Sequence, residues 1–212
     1  MALSPHDGDT APHAGASASA PQLKTHLPDD PRRAEVEQFI RNVFARRYGA
    51  DVKTFAPTLV SLQDRGEIVA AAGYRSAAEA PLFLERYLPS PIETLLASQA
   101  EAQPERHGIV EVGHLAASRA GEGRRLITLI GPHLDSQGFV WVVGTITSEL
   151  RHLFMRIGVT PLALGAADPA ALGTEVTHWG SYYDHRPVVL AGHLHQALRR
   201  LARGTPTTRP TP

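Results

Sequence analysis

The sequence predicts a single α/β domain built on a mixed β-sheet with helices on both faces. Three observations carry this. Residues 109–158 run strand, Gly-bearing turn, helix, strand, helix, an order that favours parallel neighbours joined by a right-handed crossover. Residues 58–74 hold two strand-like runs meeting at a short turn, which makes the front of the sheet antiparallel. An amphipathic helix precedes both. In such a sheet the ligand crevice is expected where the strand order switches.

The chain has 212 residues, 42% hydrophobic and 20% charged, enough apolar material for one core and too little length for two full domains. Lys plus Arg equals Asp plus Glu at 21 each, so no net field favours nucleic acid or an anionic membrane as partner. With no cysteine, disulfides, thiolate zinc sites and cysteine nucleophiles are excluded. The first residues lack the basic start and apolar core of a signal peptide, and GFVWVVGTI is about half the length of a membrane-spanning helix. The reading is a cytoplasmic protein with no transmembrane segment.

Residues 1–29 are rich in Ala, Ser, Pro, Gly and His with no apolar period and are expected to be a disordered leader. Residues 204–212 are expected to be a disordered tail, leaving 30–203 as the domain. Asp30 as N-cap and Pro31 at the first helical position open a helix with Val36, Phe39, Ile40, Val43 and Phe44 on one face, stopped by Gly49. TLVSLQ and EIVAAAGY flank Asp64, Arg65 and Gly66 as a hairpin. Residues 81–100 read as two short helices broken at Pro89 and Pro91. The strand GIVEVGHLAAS leads through RAGEGRR into a helix in which Pro132 removes the bond to the Thr128 carbonyl, predicting a kink or split. FVWVVGTI is the next strand. It leads to a helix with Leu150, Leu153, Phe154 and Ile157 on one face and Gly158 at its end, then an Asp168-Pro169 turn, a last strand in HWGSYYDHRPVVLAG and a Leu- and Arg-rich terminal helix.

The turn between strand and helix is the chemically informative stretch. It exposes backbone N–H groups at the positive end of a helix, where phosphate binds. Gly121 and Gly123 let the backbone approach, and Arg119, Arg124 and Arg125 add charge. A tight turn with solvated arginines fits the same residues. No Gly-Lys-Ser or Gly-Lys-Thr follows, so this is not a nucleotide P-loop. Eleven histidines include His193 and His195 two apart, but no set of metal ligands is completed, and no Gly-x-Ser-x-Gly elbow occurs.

Ser118 to Gly123, followed by FVWVVGTI and LRHLFMRIGV, resembles the acyl-CoA-binding core of the GNAT acetyltransferase superfamily. Both turn glycines match and the first turn position does not. Phe154 stands where that superfamily usually has a Tyr, so a proton donor must come from elsewhere. FARRYGA, AAAGYR, LFLERYLPSPIE, IVEVGHLA, LFMRIGV and WGSYYD resemble the bacterial thermostable haemolysin family, with His114 where Asn is expected. LFLERYL and VEVGHLA are distantly similar to acyl-homoserine-lactone synthases.

The resemblance implies an N-acyltransferase that moves an acyl group from acyl-CoA or acyl carrier protein to a small amine by direct attack on the thioester. The pantetheine arm would pair with the strand edge at Val112, Leu115 and Ala116, and the phosphates would meet Arg119, Gly121, Glu122, Gly123, Arg124 and Arg125. Glu111, a carboxylate in an apolar strand, is the candidate base or ammonium ligand, or else the ion-pair partner of an arginine such as Arg86. Tyr182 or Tyr183 would replace the missing phenol, or pack as core aromatics. Arg86, Trp179 and Asp184 are candidate acceptor contacts. His114, three residues from Glu111, falls on the opposite face of a regular strand and reads as structural. The alternatives are a membrane-active lytic protein, implied by the family's name, and a catalytically inactive ligand-binding relative.

Overall fold

The computed structural model describes residues 20–100 and 103–204. Seven strands form one sheet in the order β1-β2-β3-β4-β5-β7-β6. They are β1 (Gln22–His26), β2 (Thr58–Asp64), β3 (Glu67–Ser76), β4 (Ile109–Ala117), β5 (Trp141–Ile146), β6 (Leu162–Ala166) and β7 (Val188–His193). Every neighbouring pair is antiparallel except β4 and β5, which run parallel. The expected mixed α/β sheet flanked by helices is what the chain adopts.

The helices are α1 (Arg33–Tyr48), α2 (Ile92–Leu96), α3 (Glu122–Ser136), α4 (Ser148–Arg156) and α5 (Leu194–Gly204), with 3-10 segments at Phe83–Tyr87, Pro169–Trp179 and Tyr182–His185. On one face, α3 and α5 cover Val60, Leu62, Val110 and Val112 with Leu126, Leu134 and Leu194. On the other, α1 packs Val36, Ile40 and Phe44 against Leu59, Ala71 and Ala116, while the 81–100 insert sets Leu84, Ile92 and Leu96 against Ile109, Trp141 and Val143. No described helix is long and apolar enough to cross a membrane.

Several expectations change. Gln22–His26, placed in the leader, is strand β1, paired along β2, where its buried His26 bonds Ser61 Oγ at 2.8 Å. Residues 1–19 and 205–212 of the expected leader and tail lie outside the described residues, and Gly204 closes α5. Asp30 accepts the Arg32 amide at 2.7 Å, so it caps a turn before α1, and the helix starts at Arg33. Helix α3 is not split at Pro132: it runs as one element, with Pro132 and Thr128 both exposed, where the freed carbonyl is open to solvent. β6 had no counterpart in the sequence reading.

Candidate functional site

β4 and β5 pair at only three positions, Ile109 with Trp141, Val110 with Val142 and Glu111 with Val143. Beyond Glu111 the strands separate, and the freed edge of β4 faces a cleft of about 830 Å³. The far end of this cleft is the start of α3, where Gly121 holds φ 91°, a conformation L side chains rarely adopt, and no side chain caps the first turn. Val112, Leu115, Ala116, Arg119, Gly121, Gly123 and Arg124 all line the cleft. Glu122 and Arg125 do not. They pair with each other at 3.1 Å on the outer side of the helix. The cleft also gathers Arg46, Arg47 and Arg156, none of them in an ion pair among the described residues.

Two smaller cavities adjoin this cleft, and Val112 lines all three spaces. The first, about 120 Å³, lies between the sheet, α3 and α5, with a wall that is almost wholly apolar and includes Phe154, Leu190 and Leu198. Phe154 therefore lines this apolar cavity and not the large cleft. The second, about 80 Å³, lies on the opposite face among Phe83, Tyr87, Glu111, His114, Trp179 and Tyr183.

Glu111 and His114 share that second cavity, which corrects the expectation of opposite faces. The β3–β4 register steps from Ala71 with Ala116 to Gly73 with Gly113, so β4 spends three residues against two. This is a β-bulge, and it inverts the alternation: His114 takes φ 54° and turns its ring against Phe44 and Phe55 on the α1 face, the face of Glu111. Desolvation holds the His114 imidazole down at about 4, with the nearby Arg75 charge acting in the same direction. The ring is thus neutral at physiological pH.

Glu111 is buried, and its two oxygens accept the amides of Phe83 at 2.8 Å and Leu84 at 3.0 Å, which ties the insert to the sheet. Its cationic neighbour is Arg75, at 3.6 Å across the β3–β4 ladder, and not Arg86. Burial raises the carboxyl above its ordinary range, against the opposing pull of those amides and Arg75. Arg86 instead makes a bidentate pair with Glu175 at 2.9 and 3.0 Å, above the Phe83 ring.

The two candidate tyrosines separate. Tyr182 is buried, donates to the Thr145 carbonyl at 3.2 Å and lines both the large cleft and the small cavity. Burial pushes its phenol up, so it stays protonated. Tyr183 bonds Tyr87 hydroxyl to hydroxyl at 2.6 Å in the small cavity alone. Trp179 lines the same cavity, whereas Asp184 is exposed and lines none of the described cavities. Sequence reasoning missed Arg75 and Thr145; the available signal for the first was a cation near the end of one apolar strand and a carboxylate inside the next.

Comparison with known proteins agrees with this architecture. The AHL synthase LasI is 13% identical, with a TM-score of 0.58 over 90% of this chain and 100% of that one. FeeM, an N-acyl amino acid synthase from uncultured soil microbes, is 14% identical, with a TM-score of 0.57 over 87% and 98%. BjaI, a CoA-dependent acyl-homoserine lactone synthase solved with SAM and isopentyl-CoA, is 14% identical, with a TM-score of 0.58 over 89% and 92%. At such identities the likeness is one of fold. No curated protein matches the sequence. The family model described as thermostable hemolysin matches residues 26–198, most of the described chain, and the protein belongs to that family.

Proposed function

We propose that this protein transfers an acyl group from acyl-CoA or acyl carrier protein to a small amine by direct attack of the amine on the thioester. The observation that carries the reading is the parting of β4 from β5 after Glu111, which joins one long cleft to an apolar and a polar cavity at Val112. A thioester substrate has three parts that match. Its peptide-like pantetheine arm pairs with the open edge of β4. Its phosphate meets the uncapped turn at Gly121 and Gly123 beside Arg119 and Arg124. Its acyl chain enters the apolar cavity. The structural neighbours LasI, FeeM and BjaI, described as synthases of acylated small molecules or of AHL, support the same class.

In this reading the amine enters from the small cavity and its nitrogen attacks the thioester carbonyl carbon. The C–S bond breaks as the C–N bond completes. Glu111, with its raised pKa, accepts the proton lost by nitrogen, and Tyr182 donates one to the departing sulfur; solvent restores both groups. Unpaired backbone N–H groups of β4 stabilise the oxyanion.

Titration calorimetry with coenzyme A, a short-chain acyl-CoA and a loaded carrier protein tests the reading. Binding of at least one donor, lost in the double variant Gly121→Val and Gly123→Val with the fold intact by circular dichroism, is the expected result. Failure of all three to bind overturns it.

A further inference from the structure

Three buried side-chain polar atoms find no hydrogen-bond partner among the described residues, and two of them, His114 Nδ1 and Thr145 Oγ1, belong to residues that line the small cavity. Buried polar groups are nearly always paired, so two orphans on the wall of one space mark a place where a ligand completes the network. Their chemistry is specific. The backbone of Thr54 hydrogen-bonds the His114 ring in a way that favours a ring N–H, which leaves Nδ1 as an acceptor. Thr145 Oγ1 can accept or donate, and Glu111 adds a carboxylate on the same wall. Together they call for a group with several hydrogens to donate, an amine.

Arg75 supplies the opposite demand. Its Nε stands 3.6 Å from Glu111, beyond hydrogen-bond reach, and its two terminal nitrogens have no partner among the described residues, with 27% of the side chain exposed. A planar guanidinium fork with both tines free matches a carboxylate. The cavity is small, at about 80 Å³, so the donor group and the anion of a ligand seated in it lie close together. Phe83, Tyr87, Trp179 and Tyr183 form the rest of the wall and suit an apolar remainder. A simple amine would leave Arg75 unfilled, and a simple carboxylate would leave His114 Nδ1 unfilled.

We propose that the small cavity is a subsite for an α-amino acid, whose amine is held by His114 Nδ1 and Thr145 Oγ1 and whose carboxylate is held by Arg75. The inference rests on the acyltransfer reading for its purpose, since it makes the amino acid the acceptor, but the binding it asserts is measurable alone. The test is calorimetry of the full chain with the common L-amino acids, each with and without saturating coenzyme A, followed by the decarboxylated amine of every one that binds. The expected result is millimolar or tighter binding of at least one amino acid and at least tenfold weaker binding of its amine. Arg75→Gln should impose a similar tenfold loss on the amino acid and leave the amine unchanged, with partial recovery in Arg75→Lys. Thr145→Val should weaken both ligands at least threefold. If Arg75→Gln unfolds, the comparison of ligands on the unaltered protein still decides. Binding of no amino acid in either condition, or equal binding of acid and amine, overturns the proposal. Donor binding without amino-acid binding sinks this proposal and spares the acyltransfer reading; amino-acid binding without donor binding does the reverse.

Discussion

The His114 ring is a buried base held neutral, and acid titration should expose its cost. Its folded pKa is about 4 against an ordinary value of 6.5, a depression caused first by desolvation and then by the Arg75 charge. In the unfolded chain the ring protonates near pH 6.5; in the folded chain it resists down to about pH 4. Between those values the unfolded state binds more protons, so stability falls as pH falls. The contribution is complete above pH 6.5 and lost on the way to pH 4. At about 1.4 kcal/mol per unit, the step amounts to about 3 kcal/mol, and about 2 once the partial exposure of the residue is allowed for. His114→Asn removes the titration and keeps a side chain that tolerates positive φ. Loss of ring packing will cost this variant about 1–2 kcal/mol, but equally at every pH. Urea unfolding of both proteins at half-unit intervals from pH 7.5 to 4 should therefore give stability curves whose separation shifts by about 2 kcal/mol in the variant's favour toward acid, so that they meet or cross. Parallel curves would show that the ring is solvated and would refute the burial argument.

Two further outcomes follow from packing and from the proposed chemistry. A Cβ on Gly180, at φ 52° and ψ −127°, would lie 2.0 Å from the Tyr48 carbonyl oxygen and 2.8 Å from the Gly49 carbonyl carbon, both backbone atoms that cannot swing aside. Gly180→Ala should thus lose about 3 kcal/mol or more, read as a fall in thermal midpoint. Tyr182→Phe removes a hydroxyl bonded to the Thr145 carbonyl, at about 1 kcal/mol of stability, and should lower kcat about a hundredfold with KM for the donor little changed; an unchanged kcat would exclude it as proton donor.

The parts of this fold that were legible in the sequence are the strands buried on both faces, which read as continuous apolar runs, and the helices buried on one. The hairpin of β2 and β3 and the β4-α3-β5 crossover declare themselves because Leu59, Val60, Ile109, Val110 and Leu126 must all reach a core. β1 was hidden because an edge strand reading QLKTH buries only His26, and β6 because LALGA lies partly open and has no β-branched or aromatic side chain. In the site, the turn at Gly121 was legible because backbone conformation restricts residue choice there. The bulge at Gly113 and His114 was not, since one extra residue in a ladder leaves no compositional mark, and the relation of Glu111 to His114 hinges on it. Arg75 was missed because cross-strand register decides its neighbour, and register is a property of two segments at once.

The brevity of the β4–β5 ladder has a mechanical consequence. Four antiparallel strands on one side and three on the other are sewn together by three residue pairs and the crossover helix, and α4, beside the opening, contributes no buried residue. A molecule lying along the open edge of β4 would add stitches to that seam, so occupancy and rigidity should rise together. Amide hydrogens of β5 should then exchange more slowly when the cleft is filled, while those of the β2–β3 hairpin stay as they were.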